Sequence, residues 1–390
     1  MPYSNSESNA GGDHKLTQEV ADVRWCPVKT FNCDRFYNTY LRQSLDAHQV
    51  ANGGPLCQLL AKRIKTLIGS ERAVVPAASG TAALHALVAV YEQWNERPLR
   101  WIVQAFTFPP SVQGPLRDSV VVDVDLEHGG PCVAELTKRK DKFDGVVVTN
   151  VTGALADTEF YETWCQANEK ILIFDNAAVA IGQVAGRCIH DFGDGAIVSL
   201  HETKPIGRGE GGAIIVPFPM EKTTVSSLNF GFHSGSQLHS RVCNNWKMSD
   251  IAAAAILDHL DNVVDQDWIT QYQERLVFVN QLLAENSLHH FQEPHYPSLV
   301  GSLRIILPDG VMSSDVVKKL NGLRPMVEAK LYYRPLDNIE NVPLSWQIYN
   351  RTVCLPFHLD LREDQLRFMI DQLAKCCHTS VQRGAFSCES

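Results

Sequence analysis

The sequence predicts an α/β fold, with a large domain built on a mostly parallel seven-stranded sheet and a smaller α+β domain after it. Three observations predict it. Short apolar runs alternate with helical patterns through the middle of the chain. Those runs are continuous rather than alternating, as in strands covered on both faces. Near Ser249 the pattern gives way to long helices with fewer strands.

Taken in order, residues 1–20 are polar and rich in Ser, Asn and Gly, and are expected to be disordered. The expected strands are AVV at 73–75, WIVQ at 101–104, VVVDV at 120–124, GVVVT at 145–149, ILIF at 171–174, AIVSL at 196–200 and GAIIV at 212–216. Most are rich in β-branched residues. Helical stretches at 81–94 and 158–168 separate several of them. Beyond Ser249, residues 250–260 and 267–285 read as long helices. A strand near 302–307 and a last helix near 362–375 follow. The expected organisation is a disordered segment at 1–20, a large domain at 21–260 and a small one at 261–390.

At 390 residues the chain is long enough for a large and a small domain. Hydrophobic residues make up 45% of it, enough to bury a core without staples. The net charge of -9 argues against a nucleic-acid partner, which would call for a basic face. Eleven cysteines without a C-x-x-C pair fit neither a zinc site nor a disulfide framework, so no metal is expected and the thiols read as reduced. The N-terminus lacks the basic start and apolar run of a signal peptide, and no apolar stretch approaches the roughly 20 residues that span a bilayer. A cytoplasmic protein without a membrane partner is the expectation.

Three segments carry candidate chemistry. In Ala77-Ala78-Ser79-Gly80-Thr81, a strand ends and a helix begins, and the free N–H groups of a helix N-terminus attract an anion. Alone, that string reads more simply as a helix cap. Asp175 and Asn176 end the ILIF strand, where ligands of open α/β sheets bind. Alone, they read as a turn. Lys204 follows a buried strand and precedes Gly207, Gly209, Gly211 and Gly212. Partial desolvation there would free its amine for Schiff-base chemistry. The lysine of an exposed hairpin is the plainer alternative, but clustered glycines favour close approach of the backbone to a ligand.

These segments, in this order, resemble the DegT/StrS-type aminotransferases, a fold type I family that uses pyridoxal 5'-phosphate (PLP). The resemblance rests on Gly54-Pro55, SGTAAL at 79–84, Thr107-Phe108, VDVD at 122–125, DNAA at 175–178, SLHETK at 199–204, GEGG at 209–212, NWKMSD at 245–250, YYRPL at 332–336 and Leu355-Pro356. It covers roughly residues 50–375.

The resemblance implies the site. Lys204 holds the cofactor and shuttles the proton. Phe108 stacks on the pyridine ring, and Ser79, Gly80, Thr81 and Ser199 surround the phosphate. Asn245 reaches the same phosphate from the partner subunit of a homodimer with shared active sites. His201, Tyr332, Tyr333 and Arg334 are candidates for the substrate side. The implied substrates are an amino donor, glutamate in the family, and a keto sugar linked to a nucleotide. Counting back from Gly182 places the family's aspartate on Asn176, and a one-residue shift places it on Asp175. A carboxylate can keep the ring nitrogen protonated and an amide cannot, which favours Asp175. The family's polar residue shortly after is Val179 or Ala178 here. Three rivals remain. Sugar dehydratases of the same fold carry His where this chain has Lys204. A silent, ligand-binding member would lack PLP absorption. A nicotinamide dehydrogenase would need a G-x-G-x-x-G turn that is missing.

Overall fold

The computed structural model describes residues 20–231, 243–290 and 299–385, with the side chains of His290 and of residues 379–385 left aside. The segment expected to be disordered thus lies outside the described residues but for Val20.

Seven strands form the central sheet: β1 (Ala73–Ala77), β2 (Trp101–Gln104), β3 (Val120–Val122), β4 (Gly145–Thr149), β5 (Ile171–Asp175), β6 (Gly195–Ser199) and β7 (Gly212–Val216). Their order is β1-β7-β6-β5-β4-β2-β3. Only β7 runs against its neighbours, pairing antiparallel with both β1 and β6. All seven lie where the apolar runs are, within two residues at each end. β3 stops short of Val124 because Asp123 leaves the ladder. Its carboxylate instead accepts from the backbone N–H groups of Leu344 and Ser345, each at 2.8 Å, at the start of the helix Pro343–Arg351.

Both faces of the sheet are covered, which is why the strand sequences do not alternate. On one face Val75, Val103, Val147, Ile173, Ile197 and Ile214 pack against the helix Gly80–Trp94. On the other, Val146, Val148, Leu172, Phe174, Val198 and Ile215 meet the helices Pro55–Ile68, Thr158–Ala167 and Asp250–Asp265. Pro55–Ile68 starts on a proline at its first turn and stops at Gly69 with φ of 69°, a conformation that suits glycine. In Asp250–Asp265, Ala253 and Ala254 are fully buried, as expected of small residues at a close helix contact.

After the helix Trp268–Glu285, three antiparallel strands form a second sheet: β8 (His289–His290), β9 (Ser302–Ile306) and β10 (Thr352–Pro356). A polar loop is the natural reading of His289 and His290, yet they are an edge strand, paired with Ile306 and Ile305. His295 lies outside the described residues. The charged residues 138–142, which by composition suggest a solvated loop, end one helix and form a short 3-10 turn. The last helix, Glu363–Ala385, outruns its expected end. The cysteines among the described residues are free, and no helix among them is long and apolar enough to cross a membrane.

Candidate active site

A cavity of about 470 Å³ opens at the carboxyl ends of β4, β5 and β6, beside the turn that follows β1. Its size suits a cofactor together with a substrate. The three chemistry-bearing segments all reach it.

The first wall is the turn into the helix Gly80–Trp94. Ser79 caps that helix, its Oγ accepting from Ala82 N–H at 3.1 Å. The cap reading therefore holds, and it coexists with a place on the cavity wall for Ser79, Gly80 and Thr81. Gly80 abuts β6 so closely that a Cβ would lie 3.1 Å from that of Ser199. Ser199 completes this wall, and its Oγ accepts from His201 N–H at 3.3 Å.

Asp175 forms the floor. It is 4% exposed, and its Oδ1 accepts from Ala177 N–H at 3.0 Å. Burial pushes its carboxyl above the ordinary range, against the opposing pull of the Ala177 N–H and the Lys204 charge. Burial pulls Lys204 below the ordinary lysine range, and Asp175 resists that pull. Each partner is thus held less charged than in water, and a lysine in that state offers a nucleophilic amine.

Asn176 points elsewhere. It is fully buried and absent from the cavity lining. Its Oδ1 accepts from Asn150 Nδ2 at 2.6 Å, and its Nδ2 donates to His190 Nδ1 at 3.0 Å. His190 Nε2 lies 3.3 Å from the Ala180 carbonyl, which can only accept, so the ring proton sits on Nε2 and Nδ1 is free to accept. Burial holds His190 down to about 4, which keeps it neutral. The network fixes the 176–180 turn from behind, and Asn176 does not face the cavity.

The remaining residues divide. Phe108 stands at the rim, 43% exposed, its ring 5.2 Å from that of Tyr333. His201 lines the cavity, with Nδ1 2.9 Å from Thr203 Oγ1 and Nε2 3.5 Å from Glu210. Tyr333 lines it too, but Tyr332 and Arg334 do not. Tyr332 packs edge-on to Trp25 with ring centroids 5.6 Å apart, and the Arg334 guanidinium lies over Trp346. Asn245 is exposed, outside the cavity of its own chain, and accepts from Lys247 Nζ at 2.5 Å.

Several lining residues escape a reading of motifs. Thr149, the last residue of β4, and Asn150, Val151 and Thr152 after it also line the cavity. Thr149 Oγ1 accepts from Thr107 at 2.7 Å. The signal was present, since ligands gather beyond carboxyl ends of parallel strands and β4 was legible. Of the two positions expected for the family's polar residue, Ala178 lines the cavity and with Ala177 gives it an apolar stretch, while Val179 is buried outside the lining.

The residues fit PLP. A capped helix N-terminus with a glycine cradle offers backbone donors to a phosphate, a buried carboxylate faces the interior, and a lysine of lowered basicity shares the cavity.

Comparisons with known proteins agree with this geometry. The model of the DegT/DnrJ/EryC1/StrS aminotransferase family matches residues 32–374. The dTDP-4-amino-4,6-dideoxy-D-glucose transaminase of Shigella dysenteriae is 22% identical over 350 residues, covering 86% of this chain and 94% of that one. Among solved structures, DesI in the presence of its TDP-sugar product superposes with a TM-score of 0.80 at 21% identity, covering 95% of this chain and 96% of DesI. PseC of Helicobacter pylori, an aminotransferase of pseudoaminic acid biosynthesis, gives 0.75 at 14% identity, covering 92% and 100%. At such identities the structural likeness speaks for the fold.

Proposed function

This chain belongs to the DegT/DnrJ/EryC1/StrS aminotransferase family, and on that premise we propose that it moves the amino group of glutamate onto a keto sugar linked to a nucleotide. It is a PLP-dependent sugar aminotransferase; the donor, the nucleotide and the keto-deoxy form of the sugar are the proposed part. One observation carries the reading. Lys204, the buried Asp175 and the Ser79–Thr81 helix start share a single cavity.

Bound PLP would supply an electron sink for the bonds to the donor's α-carbon. Ser79, Gly80, Thr81 and Ser199 would hold its phosphate, Phe108 would cover one face of its ring, and Asp175 would keep the ring nitrogen protonated. Lys204 Nζ would anchor the cofactor, and the same amine, when free, would be the base that moves the donor's α-proton. Its lowered basicity suits both tasks. Ile197, Ala177 and Ala178 present apolar surface that keeps water from the reacting centre. His201, Glu210 and Tyr333 at the cavity wall are the proposed contacts for the sugar. Tyr332 and Arg334, turned toward Trp25 and Trp346, act through the position of Tyr333. Asn245 is proposed to serve the phosphate of a partner subunit in a homodimer, which its exposure allows.

The test is absorption of the purified protein with PLP, before and after borohydride, beside Lys204→Ala. The expected result is a band near the visible edge that borohydride traps on Lys204 and that the variant lacks. Added glutamate should convert the cofactor to its amine form. If glutamate leaves the band unchanged the donor assignment is wrong, and if wild type shows no band the catalytic reading falls to that of a silent, ligand-binding protein.

A further inference from the structure

Lys29 is a charged residue that neither the motifs nor the cavity lining single out. It is 7% exposed, in the stretch of chain before the first helices. Its Nζ donates to the backbone carbonyls of Glu202 at 2.6 Å, of Lys204 at 2.7 Å and of Gly207. All three N–H bonds of the ammonium are thereby spent on a single turn, the one that carries Lys204.

That turn needs a partner. It closes on itself through Lys204 N–H to His201 O at 2.8 Å, Gly207 N–H to Lys204 O at 3.0 Å and Arg208 N–H to Leu200 O at 3.0 Å. The closure leaves three carbonyl dipoles pointing at one buried spot. Converging oxygens repel in a medium of low dielectric, and a single cation satisfies them together. Burial lowers Lys29 to about 8, and Glu202 works against that shift. Arg208 grips the same stretch from the other side, donating to Lys29 O at 2.7 Å.

Lys29 is itself held from both ends. Upstream, Val23 N–H donates to Met326 O at 2.8 Å, Trp25 N–H to Glu328 Oε2 at 2.8 Å and Val28 N–H to Asp360 Oδ2 at 2.6 Å. Downstream, Arg35 Nε donates to Asp258 Oδ1 at 2.7 Å. Residues 22–35 form a strap from the C-terminal sheet region to the helix Asp250–Asp265, and Lys29 is its contact with the reactive turn.

We propose that Lys29 is a positioning residue for Lys204, gathering the carbonyls of Glu202, Lys204 and Gly207 so that the Lys204 amine enters the cavity in one orientation. The inference rests on Lys204 being the cofactor lysine. It predicts an effect on how fast that lysine reacts, with a much smaller one on how well the phosphate cradle holds the cofactor, since Ser79, Gly80 and Thr81 lie on another element.

The experiment follows formation of the covalent Lys204 adduct. Apoprotein is mixed with PLP over a concentration range, quenched with borohydride at intervals, and the Lys204 peptide quantified by mass spectrometry. Lys29→Met removes the charge and all three donors at similar length. The expected result is a limiting rate about 10- to 100-fold slower, with the half-saturating PLP concentration within about threefold of wild type. Lys29→Gln, which keeps two donors, should fall between them, and it carries the test if Lys29→Met does not fold. Glu328→Ala loosens the strap at Trp25 without touching the turn, and should keep the wild-type rate at lower thermal stability. A wild-type limiting rate in both Lys29 variants overturns the proposal, as does an equal loss in Glu328→Ala. Absence of any Lys204 adduct in wild type sinks the proposed function as well, which tells the two failures apart.

Discussion

Gly212 and Gly211 are neighbours in sequence, and replacing each with alanine is expected to give opposite results. Gly212 opens β7, pairing with Ala77 at the end of β1 and with Ser199 at the end of β6. It therefore sits where the elements of the proposed phosphate cradle converge. A Cβ on Gly212 would lie 2.5 Å from the carbonyl carbon of Ser79 and 2.8 Å from Gly80 N, and nearer still to Ser79 O. These are backbone atoms and cannot rotate away. Moving from 2.5 Å to the 3.4 Å of ordinary contact displaces the Ser79–Gly80 turn from β7 by about 0.9 Å. Overpacking of this kind costs roughly 1–3 kcal/mol. At 1.36 kcal/mol per factor of ten, that is about 5- to 150-fold in affinity if the strain falls on the cofactor-bound state.

A Cβ on Gly211 would instead meet Ile256 Cδ1 at 2.8 Å and Met248 Cε at 2.9 Å, the free ends of flexible side chains, and Leu200 Cβ at 3.1 Å, where a shift of a few tenths of an ångström restores ordinary contact. These can turn aside, so Gly211→Ala is expected to change PLP affinity by about threefold or less. The assay is titration of apoprotein with PLP by tryptophan fluorescence, paired with urea unfolding of the apoprotein, so that loss in folding and loss in binding are summed for each variant. Wild-type behaviour of Gly212→Ala in both measurements, or equal losses from the two substitutions, would refute the argument that a backbone approach at Gly212 shapes the cradle.

Two further outcomes follow from buried carboxylates. Asp250 accepts from the N–H groups of Leu56 at 2.9 Å and Cys57 at 3.1 Å and from the Ser44 hydroxyl at 2.5 Å, all within the core. Asp250→Ala strands these donors and should cost the apoprotein at least about 3 kcal/mol in urea unfolding, with Asp250→Asn intermediate; a loss below about 1 kcal/mol would contradict it. Burial raises the Asp175 carboxyl, so the folded protein holds that proton more tightly than the unfolded chain does. The stability this gives is present at acid pH and is lost as pH rises from the ordinary carboxylate range through the raised value. Asp175→Asn lacks that loss, so its apoprotein should gain on wild type as pH rises, most clearly in a Lys204→Ala background; parallel stability curves from acid to neutral pH would rule this out.

Much of the large sheet was legible because its signals are local. Each of the seven apolar runs is a strand, since β-branched residues with both faces covered leave no polar positions to blur them. The Lys204 turn was equally plain, because glycines at 207, 209, 211 and 212 crowd around one lysine. His289 and His290 are not legible as a strand because a two-residue edge strand has no periodicity to detect, and its pairing partners at 305 and 306 are distant in sequence. Helix Pro55–Ile68 passed unread although Pro55 and Gly69 bracket it.

The sequence by itself determined the α/β class, the glycine-rich turn that carries Lys204 and the helix start at Ser79–Thr81, because strand content and turns are set by neighbouring residues. Tertiary structure alone decided that β7 runs against the sheet, that Asp175 rather than Asn176 faces the cavity, that Tyr333 lines it while Tyr332 turns to Trp25, and that Lys29 reaches the Lys204 turn from 175 residues away. Each of these depends on where a side chain points once distant strands are in register, and direction across a sheet reverses with a single residue, a distinction that composition and spacing do not encode.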